Sequence, residues 1–268
     1  MKKIGYLSIH CTDHCNNHCR DCNHFSPFAE PREYAAEEYF SGLDALEGKG
    51  YRVAFLSILG GEPFLHTRLG AFVTAMKARY PNTKLHLVTN GFWLSQAALC
   101  KFETVFQTVQ SIAISIYPNM IKRLGGTKNY AGLIAALQAT YPSLCISPRI
   151  QTTFSTRTPV HAARVVTAPT CGQLSCTALL ADGRLARCSS GAYWQFSRQN
   201  LSFFSSSQDV YFDTATWPEL LETWLARRPL DACSYCPYAV TQSTPWKAET
   251  GLPYRQDMVD EVFARIAG

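Results

Sequence analysis

Short apolar runs recur through the first 152 residues, and helical patterns fill the gaps between them. The runs at 4–9, 53–59, 84–88, 111–116 and 145–151 have the length and Ile/Val/Leu content of buried strands. Between them, residues 34–48, 67–79, 93–102 and 128–140 carry apolar positions at helical spacing. Strand and helix alternating in this way predict an α/β fold with a parallel sheet. The helices are too few for a closed eight-fold barrel. Residues 153–170, rich in Thr, Ser, Pro and Arg, read as a connector. Residues 171–240 carry a second group of cysteines, and 241–268 read as a tail ending in an amphipathic helix over 256–267. Sheets of this kind bind ligands at the carboxyl ends of their strands, so the residues that follow each run matter most.

The first run leads into Cys15-Asn-Asn-His-Cys19-Arg-Asp-Cys22, a C-x3-C-x2-C spacing. Three thiolates on one tight loop hold three corners of an iron–sulfur cube and leave its fourth iron without a protein ligand. Four cysteines would suit an electron carrier; three suit a cluster that binds something else. Residue types alone also admit a zinc knuckle completed by His14, His18 or His24. The second run ends in Gly60-Gly61-Glu62-Pro63, where two glycines allow backbone to approach closely. The third ends in Thr89-Asn90-Gly91, and the fourth carries Ser115 and Tyr117, although small and apolar residues alternate in any buried strand.

In their order and spacing these four motifs resemble the signature of the radical S-adenosylmethionine (radical SAM) enzymes. The resemblance implies a partial (β/α)6 barrel over residues 1–152, with a [4Fe–4S] cluster on Cys15, Cys19 and Cys22 whose open iron is chelated by SAM. An electron from the cluster then cleaves SAM to methionine and a 5′-deoxyadenosyl radical. It further implies that Gly60, Gly61, Glu62 and Pro63 bind the SAM amino group, with Glu62 as acceptor. Thr89 and Asn90 would line the SAM pocket, and Ser115 would contact the ribose or carboxylate. One position departs from the family pattern. The aromatic residue usual before the third cysteine is Asp21 here, which leaves Phe25 or Phe28 to wall the adenine.

The chain has eleven cysteines in 268 residues, an odd number that argues against a closed disulfide framework. The N-terminus lacks a secretory apolar core, and no apolar run approaches a membrane span. These features lead us to expect a cytoplasmic protein with reduced thiols. Cys100 and Cys145 sit in apolar surroundings and are expected in the core, with Cys11 packed below the triplet. The net charge of +5 is mild, and no basic run marks a nucleic-acid face.

Five cysteines remain. Asp182-Gly183 reads as a hairpin turn with Cys188 on the returning strand. Thr216-Trp-Pro-Glu219 starts a helix, and Cys233-Ser-Tyr-Cys236 follows it on a loop. This resembles the auxiliary-cluster twitch domain, a shortened relative of the SPASM domain. Carried over by position, Cys171, Cys188, Cys233 and Cys236 would hold a second [4Fe–4S] cluster over residues 171–240, with Cys176 spare. Zinc accepts the same four thiolates.

A fully ligated second cluster implies an acceptor for one electron. The resemblance therefore implies oxidation of a small polar substrate, as in the family's aminocyclitol dehydrogenases, with flavodoxin or ferredoxin as reductant. Arg149, His24 and Tyr117 are the candidate catalytic residues, and Tyr193-Trp194-Gln-Phe196 would roof the pocket or pack beneath the second cluster. The competing reaction is peptide crosslinking or epimerisation. It is less expected because the barrel starts at residue 3, with no preceding leader-binding domain. Outside catalysis, an iron–sulfur or zinc-binding interaction module would leave the strand-end motifs without a purpose.

Overall fold

Along the inner strands, large apolar side chains alternate with small or polar ones. Leu7 and Ile9, Leu56 and Ile58, Leu85 and Leu87, and Ile112, Ile114 and Ile116 are all fully buried. Between them stand Ser8, Ser57, His86, Ala113 and Ser115. A strand sends successive side chains to opposite faces, so the apolar set joins the helices in one core and the small polar set faces the other way. The computed structural model describes residues 2–155, 177–196, 211–213 and 243–248, with 221–222, 233, 260, 262 and 264–266.

Strands β1 (Lys2–Thr12), β2 (Tyr51–Gly60), β3 (Lys84–Thr89), β4 (Ser111–Ile116) and β5 (Cys145–Ile150) are parallel neighbours in sequence order. A short β6 (Thr153–Ser155) leaves this sheet and pairs antiparallel with β10 (Ser243–Pro245). On the far side of β1 lies β7 (Thr177–Leu179), also parallel, followed by antiparallel β8 (Arg184–Ala186) and β9 (Tyr211–Asp213). The sheet order is β5-β4-β3-β2-β1-β7-β8-β9. It is open, with β5 and β9 at its edges, and forms the expected partial barrel. The sixth parallel strand comes from beyond the connector.

Helices α1 (Phe40–Gly48), α2 (Leu69–Arg79), α3 (Gln96–Lys101), α4 (Glu103–Thr108), α5 (Pro118–Arg123) and α6 (Thr127–Thr140) connect the parallel strands. The helix expected over 93–102 starts only after Ser95, whose hydroxyl accepts from the Ala98 amide at 3.2 Å. It then breaks at Phe102 and resumes as α4, which the sequence pattern missed. Phe64 stacks on Trp93 beneath the strand ends with centroids 4.1 Å apart, and Phe106 packs tilted against both. The described residues at 260, 262 and 264–266 are helical, and Val262 and Ile266 are buried in the main core. Among the described residues no helix is long and apolar enough to cross a membrane.

Two cysteine expectations fail. Cys100 and Cys145 are exposed, because α3 turns Ala98 and Leu99 inward instead and Cys145 begins an edge strand. Cys11 is fully buried in the core, as expected.

The two faces of β2 should respond differently to truncation. Ile58→Ala should cost about 2–5 kcal/mol as a cavity in a packed core. Ser57 is equally buried, but its hydroxyl has no hydrogen-bond partner among the described residues. Ser57→Ala should therefore be neutral or stabilising, as read from urea midpoints of the two variants.

Candidate active site

The cysteine loop is fixed at its entrance by the β1–β2 ladder. Pairing shifts register between His10 and Thr12 and then continues, with Thr12 opposite Gly60. The Gly61 amide donates to the Thr12 carbonyl at 2.8 Å and the Glu62 amide to the His14 carbonyl at 2.6 Å. These contacts require glycine. A Cβ on Gly60, which has φ +136, would lie 2.1 Å from the Thr12 oxygen, and one on Gly61 would lie 1.8 Å from the His14 oxygen. The two glycines thus admit the backbone of the cysteine loop itself.

Glu62 follows and is completely buried. Its Oε1 accepts from the Thr89 hydroxyl at 2.6 Å and the Phe64 amide at 3.1 Å, and its Oε2 accepts from the Asn90 amide at 2.7 Å. Thr89 Oγ1 in turn accepts from the Gly91 amide and from the Trp93 indole, at 3.1 and 2.8 Å. Asn90 donates through Nδ2 to Asn16 Oδ1 at 2.8 Å, which reaches back to the cysteine loop. Asn119 Nδ2 donates to Asn17 Oδ1 at 3.0 Å and ties the loop to α5. Burial raises the Glu62 carboxyl to about 7, against the pull of its hydrogen-bond donors.

These loops enclose a cavity of about 880 Å³, at the upper end of the range for small-molecule sites. Cys15, Cys19 and Cys22 line it, as do Gly60, Gly61, Thr89, Asn90 and Ser115. Tyr117, His24 and Arg149 reach the same space, with Ser8 and His86 deeper along the strands. Glu62 and Pro63 do not line it; Pro63 opens a buried turn of 3-10 helix. Burial pushes the Cys15 and Cys19 thiols up, and the neighbouring sulfurs add to this. A cluster held by these sulfurs would have to displace their protons. The donor set of three clustered sulfurs fits a cluster with one open iron. Among the described residues, no three His, Cys, Asp or Glu side chains group around a single-ion site.

A hydrogen-bond chain reaches His24. The Tyr34 hydroxyl donates to Asp13 Oδ2 at 2.6 Å, and Asp13 Oδ1 lies 2.7 Å from His10 Nδ1. His10 Nε2 lies 2.9 Å from His24 Nδ1. With Asp13 as acceptor, His10 carries its proton on Nδ1 and accepts at Nε2 from His24. Tyr117 is held protonated, chiefly by burial, which raises its phenol well above the ordinary value.

The aromatic wall is not where the sequence placed it. Phe25, at φ 54, packs with Ala178, Ala186 and Tyr193, and Phe28 packs against the same cluster. Tyr117 and Phe154 line the cavity instead, with centroids 5.6 Å apart, and Trp246 lies 6.0 Å from Tyr117. Tyr193 stacks on His10 at 3.6 Å and belongs to the packing. Cys188 sits beyond β8 rather than on it, capping α7 (Ser189–Tyr193), where its sulfur accepts from the Gly191 amide at 3.3 Å. Cys233 is half-buried; Cys171, Cys176 and Cys236 lie outside the described residues, as does the helix start at 216–219. Sequence reasoning missed His86 and Trp246. His86 did leave a signal, an imidazole interrupting Leu85-x-Leu87, whereas nothing near Trp246 in sequence ties it to the triplet.

Residues 9–140 match the family model of the radical SAM superfamily. The chain belongs to the radical SAM superfamily. The crystal structure of BtrN in complex with AdoMet and 2-DOIA is similar over 88% of this chain and 94% of that one, with a TM-score of 0.51 and 16% identity. That likeness is one of fold. Streptococcus suis SuiB bound to S-adenosylmethionine aligns over 53% of this chain and 33% of its own, at 19% identity and a TM-score of 0.38, too slight to bear on the fold. No curated protein matches the chain. Membership in the radical SAM superfamily implies a [4Fe–4S] cluster and SAM.

Removing the Glu62 carboxylate should destabilise this radical SAM core even without SAM. Glu62→Ala leaves three buried donors unsatisfied, at about 1–3 kcal/mol each, and should lower the melting temperature sharply. The pH dependence follows from the raised carboxyl. Its stabilising contribution is complete below its ordinary value of 4.5 and is lost as pH rises through about 7. Without SAM, denaturation should show the wild type weaker at pH 8 than at pH 5 by roughly 3 kcal/mol. Glu62→Gln should flatten that difference.

Proposed function

We propose that this chain is a radical SAM oxidoreductase that abstracts hydrogen from a small polar substrate and passes the resulting electron to a second cluster. The observation that carries the reading is the single cavity shared by the three cysteines, both strand-end motifs and Arg149. Cys15, Cys19 and Cys22 would hold the first cluster. Cys171, Cys188, Cys233 and Cys236 would hold the second, within an auxiliary domain over 171–240. When bound, the first cluster supplies the electron that cleaves SAM to a 5′-deoxyadenosyl radical.

The remaining roles belong to the chain's own side chains. Gly60, Gly61, Thr89, Asn90 and Ser115 offer backbone and side-chain polar atoms to SAM. Glu62 and Pro63 act from behind them by holding the loop. Arg149 presents a guanidinium to a substrate hydroxyl and favours its alkoxide, as a permanent cation does. The protonated Tyr117 donates a hydrogen bond, and the His24 imidazole would accept the hydroxyl proton, so that loss of a hydrogen atom, a proton and one electron completes the two-electron oxidation. Ser8, His86, Ser115 and Arg149 add polar groups to a lining that also holds Tyr6, Leu59 and Val88, a mixture that suits a hydroxylated ring. The fold shared with BtrN, crystallised with AdoMet and 2-DOIA, supports a substrate of that size.

Anaerobic reconstitution should load about eight irons per chain, as two four-iron clusters require. Cys15/Cys19/Cys22→Ala should keep about half and form no 5′-deoxyadenosine. Cys176→Ala should keep both clusters, while Cys171→Ala should lose the second. With a deuterated aminocyclitol or related secondary alcohol, mass spectrometry should find deuterium in 5′-deoxyadenosine and a product lighter than unlabelled substrate by two hydrogens. A crosslinked peptide, or an isomer of unchanged mass, would contradict oxidation but not radical chemistry.

A further inference from the structure

A segment distant in sequence crosses the cysteine loop. Its anchor is β10, paired antiparallel with β6 through Ser243–Ser155, Thr244–Phe154 and Pro245–Thr153. The Trp246 amide then donates to the Thr152 carbonyl at 2.8 Å, which continues the pairing by one residue. Beyond it, the Arg20 amide donates to the Lys247 carbonyl at 3.1 Å, and Cys19 forms a bridge with Ala248. The cysteine loop is therefore held from both sides: by Gly61 and Glu62 at its entrance, and by residues 246–248 at its middle cysteine.

This strap fixes one side chain against a sulfur. The Trp246 indole Nε1 donates to Cys19 Sγ at 3.2 Å, from a half-buried position beside the Tyr117 ring. Indole nitrogen is only a donor, so the direction of the bond is not in doubt. Hydrogen bonds to cluster sulfurs are among the levers that set a cluster's potential. The reduced state carries more negative charge on its sulfurs and gains more from a donor than the oxidised state does.

We infer that Trp246 is a positioning residue that raises the reduction potential of the cluster held by Cys19, making a physiological reductant able to load it. This rests on Cys15, Cys19 and Cys22 being the cluster ligands. The donor is supplied by the strap, so the potential depends on how residues 243–248 lie across the loop.

Trp246→Phe keeps a ring beside Tyr117 and removes only the donor. In the reconstituted full chain without SAM, EPR-monitored potentiometry should show the reduced-to-oxidised ratio at fixed potential falling about tenfold, a shift of about 59 mV to more negative values for one electron. Iron content and the EPR line shape should stay as in the wild type. Pulsed EPR on wild-type protein labelled with 15N-indole tryptophan gives a second reading that needs no fold-perturbing variant. It should show one nitrogen coupled to the reduced cluster. An intact cluster with an unchanged potential, or with no such coupling, overturns the inference. A wild-type chain that assembles no cluster on these cysteines overturns the ligand assignment beneath it.

Discussion

The buried carboxylate of Glu62 is the fixed point of this active site. A fully desolvated charge is costly unless its oxygens are satisfied, and here three donors from two separate segments converge on it. Thr89 and Asn90 lie at the end of β3, Glu62 just past the end of β2, and the Glu62 amide itself holds His14 at the start of the cysteine loop. The Glu62 side chain thereby ties the loop after β2 to the loop after β3, and its backbone amide ties both to the cysteine loop, beyond the point where the strand pairing ends. The arrangement is preorganised, so little conformational freedom remains to be lost when a ligand binds.

The cavity itself follows from what the strands place inside. A closed barrel fills its interior with layers of branched side chains. Here the inner positions of β1 to β4 include Ser8, Ser57, Ala113 and Ser115, small side chains that leave room beside the larger Tyr6, Leu59, His86 and Val88. The apolar half of each strand still packs against the helices, so the core is kept while the concave side stays hollow. The open edge at β5 leaves Arg149 exposed at the rim of the hollow.

Most of the barrel was legible in the sequence, because its strands and helices carry strong local periodicity. All five expected strands are present within a few residues, and the four motifs do meet at their carboxyl ends. What the sequence could not show were contacts made at long range. Glu62 looked like a ligand to bound SAM, yet its oxygens face Thr89, Asn90 and Phe64, because the TNG turn folds over it. Gly60 and Gly61 looked like an opening for a ligand; they do line the cavity, and their missing Cβ atoms also admit the cysteine loop. Phe25 looked like the adenine wall by proximity to Cys22. The left-handed turn at that residue aims it at the β7–β8 hairpin, and Tyr117 and Phe154 take the place beside the cavity. Trp246 reaches Cys19 only because β10 pairs with β6, a pairing too short to leave a pattern.

The central claim is that three cysteines, clamped through Glu62 to the two strand-end motifs, hold a cluster over the cavity that receives SAM. A crystal structure of the anaerobically reconstituted chain with SAM would test it most directly. The account predicts a four-iron cluster on Cys15, Cys19 and Cys22 and SAM lying between Gly60-Gly61 and Asn90. It also predicts that Glu62 still accepts from Thr89 and Asn90. A zinc ion shared by these cysteines and a histidine, or SAM bound outside the cavity with the Glu62 contacts broken, would contradict it.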